Sequence, residues 1–221
     1  MTASSTADRL AAARLYVVTE AAHDATRVEA VVRAACRGGA GVVQLRRKGD
    51  EGLALLRLAE RCRSITAEAG VLFVVNDRLD VAMACGADGV HLGQDDLPLT
   101  VARRLWPAGL VGRSTHSLAQ ALAAVEEGAD YIGVGPVHAT PTKPGRPAVG
   151  LPCVREAAAH VRIPWFAIGG VDASTVGAVL DAGARRVAVV RAVCDAPDVA
   201  EAARALRTAL DARLAAPEVV A

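Results

Sequence analysis

Apolar segments of strand length recur eight times along these 221 residues, and stretches of helical period separate most of them. The segments are Leu15–Thr19, Gly41–Arg46, Leu72–Asn76, Gly89–Gly93, Leu110–Thr115, Tyr131–Pro136, Pro164–Gly170 and Arg186–Val193. Between them, stretches such as Asp50–Ala69 and Ser117–Glu127 carry Ala, Leu, Arg and Glu at helical spacing. Gly-Ala pairs at 39–40, 86–87, 128–129 and 183–184 precede strands. A glycine just past a helix accepts positive φ, so these pairs mark helix exits. Strand–helix units repeated over about 200 residues predict a single-domain (β/α)8 barrel near its compact limit, with a doubly wound open sheet as the alternative. No Pro- or Ser-rich linker interrupts the pattern, so residues 1–221 form one domain. Residues 1–13 and 216–221 are expected to be flexible or accessory ends.

Composition narrows the partners. The chain has 25 basic and 24 acidic residues, a net charge of +1, and 3% aromatic residues. That balance advertises neither nucleic acid nor an anionic membrane, and it leaves few stacking platforms for single strands. The five cysteines, Cys36, Cys62, Cys85, Cys153 and Cys194, form no CxxC pair. They are expected to be small buried hydrophobes in a reducing compartment. The amino terminus has no apolar signal region, and no run approaches about 18 apolar residues. A cytoplasmic protein is expected, and the sequence leaves a homo-oligomer open.

In a barrel, function collects where the strands end. The second strand ends in Gln44-Leu45-Arg46-Arg47-Lys48, and period-two alternation puts Gln44, Arg46 and Lys48 on one face. Polar groups facing a barrel interior are costly unless a ligand uses them, and a diphosphate has the charge and acceptors to do so. Arg47, on the other face, is expected in a solvated turn. The third strand ends in Asn76-Asp77 and the fourth in Gly93-Gln94-Asp95-Asp96. Asp77 and Asp96 lie one βα unit apart, so adjacent strands could bring both carboxylates onto one hard cation. Two carboxylates beside a basic cluster point to a Mg²⁺–phosphate site. Asp80 and Asp95 belong to solvated turns, and His91 to the satisfied core histidines.

Ser114, Thr115 and His116 end the fifth strand. Ser114 either bonds a ligand or caps the next helix, and His116 is a candidate proton carrier, but no partner carboxylate completes a hydrolytic triad. After the sixth strand, residues 135–146 combine Thr140, Thr142 and Lys143 with prolines, as suits a loop closing over phosphate. Gly169-Gly170 after strand seven and Val190-Arg191 after strand eight fall where barrels commonly bind phosphate through backbone N–H groups.

These segments together resemble the thiamine-phosphate synthase family from about Leu15 to Ala192. The resemblance rests on QLRRK (44–48), NDRLDVA (76–82), GADGVHLGQDDLP (86–98), GRSTH (112–116), GADYIGVGPVHATPTK (128–143) and AIGGV (167–171). It implies a (β/α)8 transferase that joins 4-amino-5-hydroxymethyl-2-methylpyrimidine diphosphate to a thiazole phosphate, giving thiamine phosphate and diphosphate by a Mg²⁺-assisted dissociative reaction. Carried over by motif, Gln44, Arg46, Lys48, Asn76, Ser114 and Lys143 hold the pyrimidine diphosphate. Arg46, Lys48 and Lys143 then act on the leaving group. Asp77 and Asp96 bind Mg²⁺; Thr140, Thr142, Gly170, Val190 and Arg191 hold the thiazole phosphate. Two positions depart from the pattern: Arg47 stands where an acidic residue is common, and Arg191 where many members have Ser.

Two other functions fit the same scaffold. A thiazole tautomerase resembles the chain at Ser114-Thr115-His116, but such relatives tend to lose the metal carboxylates and carry His where Pro136 stands here. A non-catalytic phosphate-binding regulator would not need the full set of diphosphate and metal groups. Retention of Asn76, Asp77, Gln94, Asp96 and Pro136 favours the synthase.

Overall fold

The computed structural model describes residues 4–49, 52–140 and 147–215. Its strands are β1 (Leu15–Val18), β2 (Val42–Leu45), β3 (Leu72–Asn76), β4 (Gly89–Leu92), β5 (Leu110–Thr115), β6 (Tyr131–Val134), β7 (Trp165–Ile168) and β8 (Val187–Val189). They pair in parallel and in sequence order into a closed barrel. Closure comes from β1 pairing with β8, with Leu15 opposite Val187 and Val17 opposite Val189. This excludes the open doubly wound sheet. The apolar segments expected to be strands all appear in the barrel, most of them shorter at the polar end, where the chain turns toward the site.

The helices follow the strands in alternation: α2 (Ala25–Arg37), α3 (Gly52–Glu68), α4 (Leu79–Ala84), α5 (Leu99–Leu105), α6 (Leu118–Glu126), α7 (Gly150–His160), α8 (Val176–Asp181), then the short α9 (Arg191–Cys194) and α10 (Val199–Ala215). Their buried faces follow the helical period. On α2 these are Val28, Val31, Val32 and Ala35, and on α3 Leu55, Leu58, Ala59, Cys62 and Ile65. Caps fix the starts: Asp24 accepts the Arg27 N–H at α2, and Ser117 accepts the Gln120 N–H at α6. The exits are glycines at positive φ, 65° at Gly86 and 88° at Gly128, where a side chain would be strained. All five cysteines are free, and burial pushes the Cys62 and Cys194 thiols up to about 12, which keeps them protonated and inert.

Strand alternation divides the apolar residues into two layers. Val43 and Leu45 of β2, like Leu15 and Val17 of β1, enter the large outer core between barrel and helices. Tyr16, Leu72, Leu110, Tyr131, Phe166 and Ala188 form a separate interior cluster inside the barrel. Residues Thr6–Ala12, within the segment expected to be flexible or accessory, form helix α1 with a Ser5–Asp8 capping box. Its Leu10 joins the interior cluster, and Arg9 Nη2 donates to Gly70 O just ahead of β3. This helix therefore covers the amino-terminal end of the barrel.

The repeated Gly-Ala-Asp triplets explain themselves at that same end. Asp88 Oδ2 accepts the Phe73 N–H at 2.7 Å and Arg63 Nη1 at 3.2 Å. Asp130 Oδ2 likewise accepts the Val111 N–H at 2.7 Å and Arg103 Nη2 at 2.5 Å. Each aspartate ties the start of the preceding strand to an arginine of a preceding helix. These carboxylates belong to the scaffold, far from the strand ends that carry function.

Glycine matters most inside the barrel at Gly112, where an added Cβ would lie 2.2 Å from Tyr131 Cζ. The Tyr131 ring is held in the space that the missing side chain leaves. Gly112→Ala is expected to cost about 1–3 kcal/mol by overpacking, read as a lower urea midpoint at unchanged slope. A midpoint equal to that of the parent protein would show that the ring is not confined there.

Candidate active site

A cavity of about 180 Å³ opens at the carboxyl ends of the strands. Arg46 stands in its wall with only 8% of its surface exposed. Its backbone N–H donates to Thr19 Oγ1 at 2.9 Å, which ties the end of β2 to the end of β1. Among the described residues no acceptor binds its guanidinium. A buried cation facing a cavity without an acidic partner is costly by itself, and a bound anion removes that cost.

Lys48, Asp77 and Asp96 gather beside the cavity, next to Asn76 in its wall. Lys48 Nζ is 3.6 Å from Asp77 Oδ2, with 61% of the lysine side chain exposed at the rim. Asp77 departs from ordinary backbone, with φ at +63°. The turn is tight: the Arg78 N–H donates to Asn76 O at 2.7 Å, and the Asp77 N–H donates to His91 O on β4 at 2.9 Å. Arg78 itself pairs with Asp80, so it leaves Asp77 to the site. Strained non-glycine backbone of this kind persists where the surroundings enforce it, and it often marks function.

Asp96 reaches the same point from the β4–α5 loop. Its Oδ2 accepts the Gly93 N–H at 2.6 Å, and its carboxyl is in side-chain hydrogen-bond contact with Asp77. Burial pushes the Asp96 carboxyl up, but the contact with Asp77, the Gly93 N–H and the charges of Lys48 and Arg113 together hold it below the usual range. Arg113 also donates to Gln94 O at 3.2 Å and so steadies this loop. Two hard carboxylates in contact, beside a cavity that suits phosphates, form a donor set fitting Mg²⁺, which takes one or two carboxylates and completes its shell with water and phosphate.

A buried hydrogen-bonded chain crosses the barrel in the lining of the cavity. Gln44 Nε2 donates to Tyr16 Oη at 2.8 Å, and Tyr16 Oη lies 3.0 Å from Tyr131 Oη. Tyr131 Oη is 3.3 Å from His91 Nδ1, whose Nε2 is 3.0 Å from Ser114 Oγ. Phe166 packs edge-on against both tyrosines, at ring-centroid distances of 5.1 and 6.0 Å. Ser114 therefore caps no helix; Ser117 does that. His91 is a satisfied histidine, but its partner Ser114 lies in the cavity wall. The tyrosines escaped the sequence reading because LYVV and YIGV look like ordinary apolar strands. The available signal was a phenol at an inward strand position, with Gly112 beside Tyr131 on the neighbouring strand.

The opposite wall holds Thr140, Gly170, Val190 and Arg191. Gly169 and Gly170 both take positive φ, and a Cβ on Gly170 would meet His138 Cβ at 2.6 Å. Thr175 Oγ1 donates to Gly170 O at 3.0 Å and anchors this turn. Arg191 is exposed at the cavity rim, where α9 begins. His116 lines the cavity, but its Nδ1 donates to Gly135 O. Arg47 differs from the solvated turn expected of it: half-buried, its guanidinium donates to the carbonyls of Ala21 and His23 and fastens the β1–α2 loop. Thr142 and Lys143 lie outside the described residues.

Known proteins resemble this chain in sequence and fold. The thiamine monophosphate synthase family matches residues 15–193. A thiamine-phosphate synthase of Thermus thermophilus is 57% identical over 177 residues, spanning 80% of this chain and 85% of that protein. One from Gloeobacter violaceus is 54% identical over 191 residues, spanning 86% of this chain but 55% of the longer relative. The solved structure of a thiamine phosphate pyrophosphorylase from Pyrococcus furiosus superposes with a TM-score of 0.85 at 36% identity, covering 95% of this chain and 100% of that one.

The backbone at Asp77 gives a test that is independent of ligands. Asn tolerates left-handed conformation and a β-branched residue does not, so Asp77→Val is expected to cost about 1–3 kcal/mol more than Asp77→Asn. Both variants lose the Lys48 ion pair, and Asp77→Ala, which like Val cannot bond Asp96, is the reference that separates that contact from the backbone cost. Equal midpoints would contradict the strained turn.

Proposed function

The chain belongs to the thiamine monophosphate synthase family, a family of transferases, and on that premise we propose how its cavity joins an aminopyrimidine diphosphate to a thiazole phosphate. The observation carrying this reading is the buried Arg46 guanidinium, which faces the cavity with no acidic partner among the described residues. Lys48 adds a second cation beside it. The diphosphate binds against these groups and Asn76, while Gln44 and Ser114 meet the pyrimidine. Asp77 and Asp96 would hold Mg²⁺, which supplies charge to the leaving diphosphate. Thr140, Thr142, Gly170 and the backbone at Val190–Arg191 are assigned to the thiazole phosphate, and Lys143 to the pyrimidine diphosphate.

The reaction needs charge stabilisation more than acid–base chemistry. The bond between the pyrimidine methylene carbon and the diphosphate oxygen breaks, and both electrons leave with the diphosphate. The electron-rich aminopyrimidine stabilises the methylene cation, and the thiazole nitrogen donates its lone pair to form the new C–N bond. Arg46 and Lys48 stabilise the departing charge in a site of low dielectric. Phe166 and Ile168 in the cavity wall keep water from the cation. Thiamine phosphate and diphosphate are the products. Pro136, buried in the wall, offers no base, which favours the synthase over a tautomerase. We assign the activity to the cytoplasm; among the described residues no helix is long and apolar enough to cross a membrane.

The test is turnover of purified protein with both substrates and Mg²⁺. Arg46→Ala is expected to lower kcat by about 10²-fold or more, the scale of removing a key electrostatic donor. His116→Ala should lower it only modestly. Asp77→Ala and Asp96→Ala should nearly abolish Mg²⁺-dependent turnover while the barrel stays folded. A dead His116→Ala beside a nearly normal Arg46→Ala would overturn the mechanism in favour of proton-transfer chemistry.

A further inference from the structure

The hydrogen-bonded chain in the cavity lining has one arrangement in which each phenol proton finds an acceptor within it, and that arrangement determines what its two ends can recognise. Each phenol carries one proton. In the arrangement that gives every phenol proton an acceptor within the chain, Gln44 Nε2 donates to Tyr16 Oη and the Tyr16 proton goes to Tyr131 Oη, 3.0 Å away. The Tyr131 proton then points to His91 Nδ1, and His91 keeps its own proton on Nε2 and donates it to Ser114 Oγ. Two consequences appear at the cavity wall. Gln44, with one of its two amide N–H groups committed to Tyr16, is held in the orientation that presents Oε1 as an acceptor. Ser114, with its oxygen accepting from His91, offers its O–H as a donor.

We infer that Tyr16, Tyr131 and His91 are positioning residues that fix one acceptor at Gln44 and one donor at Ser114, and thereby select a 4-aminopyrimidine over its 4-oxo counterpart. This rests on the reading that Gln44 and Ser114 face the pyrimidine. A 4-aminopyrimidine presents an exocyclic N–H donor and ring-nitrogen acceptors, which complement that pair. A 4-oxopyrimidine turns the exocyclic group into an acceptor, so it sets one oxygen against Gln44 Oε1. Reversing the donor at Ser114 requires His91 to carry its proton on Nδ1 and Tyr131 to turn its own proton toward Tyr16.

The construction is specific to this purpose. Both tyrosines of the chain are spent here, and burial raises both phenols above their usual value, so they remain proton donors at neutral pH. Gly112 clears the space that Tyr131 occupies, and Phe166 braces both rings edge-on. An apolar interior would have packed the same volume without leaving polar atoms to satisfy. Gln44 is itself 4% exposed, so its amide orientation is set by its partners and not by solvent.

The test compares equilibrium binding of the 4-amino and 4-oxo pyrimidine diphosphates, with thiazole phosphate omitted so that no coupling follows. The parent protein is expected to favour the amino compound. In Tyr16→Phe the Gln44 amide loses its anchor, and that preference should fall about tenfold, the scale of one unsatisfied buried polar group. Tyr131→Phe should lower it similarly by cutting the chain at its centre. A second readout needs no ligand: the ¹⁵N shifts of His91 should report the Nε2–H tautomer in the parent protein and a changed tautomer balance in Tyr131→Phe. An unchanged preference in both folded variants, or an Nδ1–H tautomer in the parent, overturns the inference. Failure of the parent to bind the 4-amino compound would instead overturn the proposed function, and the ligand-free His91 spectrum would still judge the chain.

Discussion

Closure of the ring by β1 against β8 is the constraint on which the rest of this structure depends. An open sheet has two equivalent faces, whereas a closed barrel has an inside and an outside, and period-two alternation assigns every strand residue to one of them. The outside is covered by helices and can be purely apolar. The inside of an eight-stranded barrel is just wide enough for side chains to fill. Polar residues that alternation sends inward must therefore satisfy one another or await a ligand. The chain does both: Tyr16, Tyr131 and His91 satisfy one another in the cavity lining, and Arg46 faces the same cavity without an acidic partner among the described residues.

The two layers also divide labour between stability and function. Val17, Val43, Leu45, Phe73 and Val75 lie wholly buried in the outer core and carry the hydrophobic stabilisation. That reserve tolerates features that cost free energy, among them a left-handed aspartate, two carboxylates in contact and a buried guanidinium. The Asp88 and Asp130 staples add rigidity at the opposite end, where α1 covers the barrel. Costly groups cluster where ligands bind, and well-satisfied groups cluster where they do not.

Much of this was legible from the residues alone. Strand positions, the inward pairing of Gln44 and Arg46, and the meeting of Asp77 with Asp96 all follow from alternation and from the spacing of one βα unit. What stayed hidden depended on partners distant in sequence. The link from Tyr16 to Tyr131 spans 115 positions, and Tyr131 needs the space above Gly112. Arg47 looked solvated because its acceptors are carbonyls of the β1–α2 loop, and carbonyls leave no trace in side-chain identity. That contact gives Arg47 a structural role, fastening the β1–α2 loop.

The central claim is that inward polar groups at the strand ends serve the ligand at the expense of the fold. Arg46→Met tests it directly, because the substitution keeps much of the volume and removes the buried charge. Urea midpoint and turnover should be measured on the same preparation. The account expects the midpoint to hold or rise while coupling of the two substrates falls by about 10²-fold or more. A lowered midpoint with turnover retained would contradict it, and would make Arg46 part of the scaffold.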